Sequence, residues 1–121
     1  MDLQGELTKI IEGDVDTSEE VRVRYSHDAS LFELKPQAVV FPKTSSDIEA
    51  LVGFVTARKE EFPVLSLTAR SQGTDMSGAA INDSIIIDSS RYMTEISEVS
   101  AEKATAQPGA KYRDFEAETL K

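Results

Sequence analysis

The chain has 121 residues, 40% of them hydrophobic, 29% charged and 7% aromatic, a composition suited to one packed core rather than two independent domains. Thirteen basic against 22 acidic side chains leave a net charge of −9, which argues against a nucleic-acid backbone or an anionic membrane as partner. The absence of cysteine removes disulfides, thiolate nucleophiles and thiolate metal sites, and the single histidine, His27, cannot build a multi-histidine metal centre.

No apolar run approaches a membrane span, and Met1-Asp2-Leu3-Gln4-Gly5-Glu6 lacks the order of a signal peptide, so the expected location is the cytoplasm. The charge is uneven. Residues 1–35 carry nine acids and four bases, residues 36–78 five and four, and residues 79–121 eight and five. An anion is best tolerated in the nearly neutral middle third.

Leu3, Leu7, Ile10 and Ile11 have helical spacing, and Gly13 with Asp14 and Asp16 reads as a helix stop and turn. Thr17-Ser18-Glu19-Glu20 has capping-box order while Val21-Arg22-Val23-Arg24-Tyr25 alternates like a strand; the cap favours a short helix. Ala38-Val39-Val40-Phe41, closed by Pro42, is a continuously apolar, β-rich run suited to a strand covered on both faces. Thr44 to Asp47 supply an N-cap, and Ile48, Leu51, Val52 and Val55 follow at helical spacing to about Lys59. Val64 to Leu67 is the next strand expected, and strand–helix–strand over 39–67 predicts a parallel pair. Ser84 to Asp88 is a third buried strand. Glu95–Val99 and Ala104–Gln107 read as a hairpin, and Tyr112, Phe115 and Leu120 mark a final helical face that reaches Lys121 without a C-cap signal.

The expected fold is therefore α/β (α+β), a small three-stranded parallel βαβ sheet with flanking helices followed by a β-hairpin. It divides into an N-terminal helical segment (1–35), a βαβ-loop-β lobe (36–94) and the start of a second lobe (95–121).

Between the second and third strands, residues 68–80 are small, polar and glycine-punctuated. They leave the carboxyl end of a parallel sheet, where open α/β sheets bind ligands. Gly73 and Gly78 permit positive φ and let successive N–H groups converge on phosphate oxygens; Ser71, Thr74 and Ser77 add hydroxyls, and Arg70 adds charge. Composition alone leaves open a long connection with two turn glycines, although such length in a small domain favours function. Neither a P-loop nor a G-x-G-x-x-G fingerprint is present. His27 reads as a surface residue, Arg91-Tyr92 as structural, and Glu12 to Glu20 as a solvated face.

The order Tyr25-Ser26-x-Asp28-Ala29-Ser30, Pro36, Val39-Val40-Phe41-Pro42, a capped helix, Arg70-x-x-Gly73-Thr74-x-x-Ser77-Gly78, Ile86-Ile87-Asp88 and Pro108-Gly109 resembles the start of an FAD-linked oxidase domain. The family is the p-cresol methylhydroxylase (PCMH) and vanillyl-alcohol oxidase type, especially its D-lactate dehydrogenase and glycolate oxidase branch. The resemblance spans about residue 20 to the end and implies the first lobe of a PCMH-type FAD-binding domain. It implies that Ser71, Gln72, Gly73, Thr74, Asp75, Ser77 and Gly78 wrap the FAD pyrophosphate with backbone amides, with Pro42 near the adenosine end and Gly109 beside the cofactor. The usual form has glycines at 71 and 72; a side chain there costs of order 1 kcal/mol if φ is positive. Members that attach flavin covalently through this loop carry a histidine where Thr74 stands, so the resemblance implies noncovalent FAD. It also implies a second lobe and a substrate-binding cap absent from these residues, hence no catalytic residue here, and either the missing lobe or a second copy as partner. The activity implied for the whole enzyme is oxidation of a small 2-hydroxy acid or related alcohol. A different reading keeps the fold without the cofactor, as a stand-alone protein-interaction module; a third is a nucleotide-binding α/β module unrelated to flavoenzymes.

Overall fold

A computed structural model describes every residue from Met1 to Lys121. In chain order the elements are α1 (Leu3–Thr8), β1 (Asp14–Asp16), α2 (Glu19–Arg24), β2 (Ala38–Phe41), α3 (Ser45–Arg58), β3 (Leu67–Arg70), β4 (Ile85–Asp88), the short pair β5 (Ile96–Ser97) and β6 (Thr105–Ala106), and α4 (Tyr112–Thr119). No helix is long and apolar enough to cross a membrane.

Capping decides the helices. The Ser18 side chain accepts from the Val21 N–H, so the alternating Val-Arg-Val-Arg stretch winds into α2, burying Val21 and leaving Val23 exposed. Thr44 caps α3, whose inward face carries Leu51 and Phe54 together with the buried carboxylate of Asp47. That carboxylate accepts three backbone N–H groups, from Glu12 (2.8 Å), Gly13 (3.0 Å) and Lys43 (2.9 Å). It thereby fastens the turn after α1 to the β2–α3 junction. Burial pushes the Asp47 pKa up, but these donors and the nearby Lys43 charge outweigh it and hold the group below the usual carboxylate range.

The main sheet has the order β1-β2-β4-β3, with β2, β4 and β3 parallel and β1 antiparallel on the β2 edge. It departs from the sequence expectation in three places. Asp14–Asp16 is a strand rather than a turn, making the sheet four-stranded; three residues are too few for their alternation to signal a strand, and the segment pairs because β2 offers an open edge. Gly13 permits that approach, since a Cβ there would collide with the Phe41 carbonyl oxygen. The strand expected at Val64–Leu67 lies at Leu67–Arg70. Leu65 N–H instead donates to the Phe62 carbonyl in a turn, so Leu65 enters the core while Val64 stays 77% exposed. Lastly, β2 and β3 are parallel but not adjacent, because β4 lies between them.

Every residue of β2 and β4 is buried. On one face Leu7, Leu51, Phe54 and Leu65 pack with Val40, Ile85 and Ile87; on the other Val21 and the half-buried Tyr25 cover Val39, Phe41 and Ile86. The expected hairpin and terminal helix both form, although α4 buries none of its side chains.

Candidate functional site

Because β3 extends to Arg70, the loop proper starts at Ser71. Its backbone N–H groups from Ser71 through Met76 donate to no other group in the chain, and Ser77 N–H donates to the Asp75 carboxylate at 2.6 Å. Six successive donors without protein acceptors, beside the carboxyl end of a parallel sheet, suit the oxygens of a pyrophosphate. Gly73 and Gly78 have φ of 69° and 86°, whereas Ser71 and Gln72 do not have positive φ. The backbone strain expected from losing glycine at those two positions therefore does not arise.

Ser71, Gln72, Gly73, Thr74 and Asp75 line one open cleft with Ala69, Arg70, Ala79 and Ala80. Within it Asp75 organises the loop. One carboxylate oxygen accepts from both the N–H and the hydroxyl of Ser77, and its carbonyl accepts from Ala29 N–H at 3.1 Å. The Ser77 hydroxyl and amide hold the Asp75 pKa below its ordinary value. Ser77 and Gly78 lie outside that lining; Gly78 rests against Phe32, whose ring a Cβ would meet at 3.1 Å. Pro42 is fully buried, close beneath Gly13. Gly109 donates its N–H to the Met93 carbonyl at 2.8 Å and leaves no room for a Cβ beside the Ser89 carbonyl, so it fixes the approach of residues 107–110 to the turn after β4.

A second cleft shares the wall Arg70-Ser71-Gln72 and adds Arg24, Tyr25, Asp88 and Ser90. Tyr25 donates its hydroxyl to Asp88 at 2.5 Å, while the Ser90 N–H and hydroxyl occupy the other Asp88 oxygen. Burial and the Asp88 carboxylate push the Tyr25 phenol up to about 12. Sequence reasoning did not place Arg24, Asp88 or Ser90 at a site. Only the conjunction of Tyr25 with Ile87-Asp88 in the family pattern hinted at their meeting. His27 is exposed, within 3.5 Å of Glu33, and contributes its carbonyl oxygen, which accepts from Arg70 Nη1 at 2.7 Å. Arg91 is structural. It pairs with Asp14 at 3.0 Å and lies over Phe41.

A mostly parallel sheet, an amide-rich loop leaving its carboxyl end and a following antiparallel hairpin define a nucleotide-cofactor lobe of α/β type. Residues 36–121 match the family described as FAD binding domain, and the chain belongs to that family. It is 41% identical over 91 residues to the D-2-hydroxyglutarate dehydrogenase of Escherichia coli K12, a match covering 75% of this chain and 9% of that protein. The enzyme of the same name from Haemophilus influenzae is 38% identical over 92 residues, covering 76% and 9%. The chain thus spans about a tenth of the length of these curated relatives. Among solved structures, an alkyldihydroxyacetonephosphate synthase superposes with a TM-score of 0.71 at 17% identity, covering 88% of this chain and 22% of that one. A 4-ethylphenol oxidase from Gulosibacter chungangensis does so with 0.70 at 17%, covering 97% and 22%. These neighbours share the PCMH-type fold of the FAD-binding lobe.

FAD is the family's cofactor, and the residues present fit it. The unpaired amides of Ser71 to Asp75 would hold the pyrophosphate, with Gly73 allowing the backbone to approach. The flavin ring, when bound, supplies the redox chemistry, and the share of these residues is to bind and orient its diphosphate.

Proposed function

We propose that this chain forms the pyrophosphate-binding lobe of a flavin-dependent oxidoreductase that acts on a small 2-hydroxy acid, with FAD held noncovalently. The observation that carries this reading is the run of unpaired N–H groups from Ser71 through Met76, of which residues 71–75 line the cleft of an FAD binding domain. The substrate class rests on relatives described as D-2-hydroxyglutarate dehydrogenases. Thr74 and the absence of cysteine favour noncovalent attachment. Residues 71–75 are the cofactor contacts of first rank in this reading; Ser77, Gly78 and Gly109 shape the surrounding backbone, and buried Pro42 acts through the turn that covers it. Turnover requires a second lobe and a substrate pocket beyond these 121 residues, and the exposed Tyr112 and Leu120 of the 95–121 region offer a face for that lobe or for a second copy. The reading places the protein in the cytoplasm.

Titration with FAD, followed by quenching of flavin fluorescence and by thermal melting, tests it. Saturable quenching and a raised melting midpoint are expected, since a ligand that binds only the folded chain stabilises it. No change at about 1 mM FAD, far above ordinary cofactor affinities, would refute cofactor binding and favour the protein-interaction reading, for which the exposed Leu31, Phe32 and Met76 near the loop are the specific support. A sample of the chain alone that reduces an acceptor dye with D-lactate would refute the need for further elements.

A further inference from the structure

We propose that Arg70 is a side-chain ligand of the FAD pyrophosphate, clamped in advance so that its free edge extends the row of loop amides; this rests on the FAD reading above. Four of the six arginines, Arg22, Arg24, Arg58 and Arg91, are paired to carboxylates. Arg70 has no such partner, although the chain carries a net charge of −9. Asp75 is held by Ser77 and Asp88 by Tyr25 and Ser90; Asp28 accepts from Ser30 N–H with one oxygen and keeps the other buried without a hydrogen-bond partner, and it feels the Arg70 charge without forming an ion pair with it. An arginine left unpaired in an acidic protein, at the point where two clefts meet, supplies the positive charge that the loop amides lack.

Its orientation is fixed by three contacts. Nη1 donates to the His27 carbonyl at 2.7 Å, the guanidinium lies 5.0 Å from the Tyr25 ring centroid, and its Nε–Cζ–Nη2 portion packs on Gly73. A Cβ on Gly73 would come within 2.7 Å of Arg70 Nε. Glycine at 73 therefore serves two ends, a left-handed turn and a seat for the guanidinium. Nε and Nη2 keep their N–H donors without an acceptor in the chain, beside Gly73 in the middle of the run of unpaired amides. A planar fork of this kind matches two phosphate oxygens, and little conformational entropy remains to be lost on binding because the side chain is already held. Tyr25 and Asp88 act at one remove, as positioning residues: the Tyr25–Asp88 hydrogen bond sets the ring on which the guanidinium rests.

The test compares the wild-type chain with Arg70→Gln and Arg70→Lys, using FAD, inorganic pyrophosphate and riboflavin as probes and a ligand-free thermal melt as the folding control. Loss of a charge-assisted, bidentate contact should weaken FAD and pyrophosphate binding by about 10-fold or more in Arg70→Gln. The dependence of affinity on ionic strength should also become shallower, because one cationic contact is gone. Riboflavin, which carries no phosphate, should bind all three proteins equally. Arg70→Lys keeps the charge but not the fork, so it should retain the salt dependence and bind at an intermediate strength. If both variants melt like the wild type and bind FAD and pyrophosphate within about twofold of it, where a charge-assisted contact predicts far more, Arg70 is no ligand although the FAD reading stands. If the folded wild-type chain responds to neither FAD nor pyrophosphate, the FAD reading fails and the role of Arg70 fails with it.

Discussion

Strands β2 and β4 bury every residue they contain, whereas α4 buries none, although both strand and helix were plain in the amino-acid pattern. The difference lies in what surrounds them. The two central strands are flanked on both edges and covered on both faces by α1, α3 and α2, so apolar side chains on either side leave water. The α4 helix has a regular backbone, yet Tyr112 and Leu120 remain 75% and 78% exposed. Residues 95–121 are held to the lobe through the Gly109 N–H, which donates to the Met93 carbonyl at 2.8 Å, whereas the Gln107 N–H to Glu95 carbonyl bond closes their own hairpin. Local pattern makes an element, while only neighbours turn its apolar face into stability. In this chain the stability resides in the βαβ lobe that carries the loop, and the region after it presents surface.

That contrast can be broken most directly in the core. Leu51→Ala removes a fully buried side chain from the larger cluster and should cost about 2–5 kcal/mol in a chemical denaturation experiment. A loss below about 0.5 kcal/mol, typical of surface sites, would mean the lobe is not the stable unit. Of intermediate size is Asp47→Asn, which weakens an acceptor serving three backbone donors and should cost about 1–3 kcal/mol at neutral pH. Its pH behaviour sharpens the case. The folded pKa of Asp47 lies below the unfolded value, so its contribution is fully present above that unfolded value and is lost as pH falls through the folded one. Stability of the wild type should thus decline below about pH 4, more steeply than that of Asp47→Asn; parallel acid profiles would exclude the staple. Smallest is Tyr112→Ala, expected to change stability by less than about 0.5 kcal/mol because nothing in the chain covers the ring. The same substitution should lower any self-association seen by light scattering, and a stable monomer at all concentrations would leave the α4 face to another partner.

Elements with two agreeing local signals were legible from the sequence. Thr44 and the Ile48-Leu51-Val52-Val55 spacing defined α3, and the apolar runs at 38–41 and 85–87 defined β2 and β4. The loop and its two glycines were equally plain, as was Arg70 as a source of charge. Strand β1 was not legible, because Asp-Val-Asp forms a strand only where an open edge accepts it. Strand β3 was displaced by three residues because the most apolar stretch, Val64 to Leu67, marks where the chain dives into the core rather than where it joins the ladder.

Sequence by itself determined the acidic balance, the exclusion of thiol and multi-histidine chemistry, the capped helices, the buried strands and the glycine loop, since each depends on residue type and short-range spacing. Tertiary structure decided which backbone donors stay free and which side chains leave the site. It turned the Asp75 carboxylate onto Ser77, buried Pro42 beneath Gly13, and brought both Tyr25 and Gly73 against Arg70. Those outcomes depend on strand order and on contacts between residues far apart in the chain, such as Tyr25 and Asp88, 63 residues apart, which no local pattern encodes.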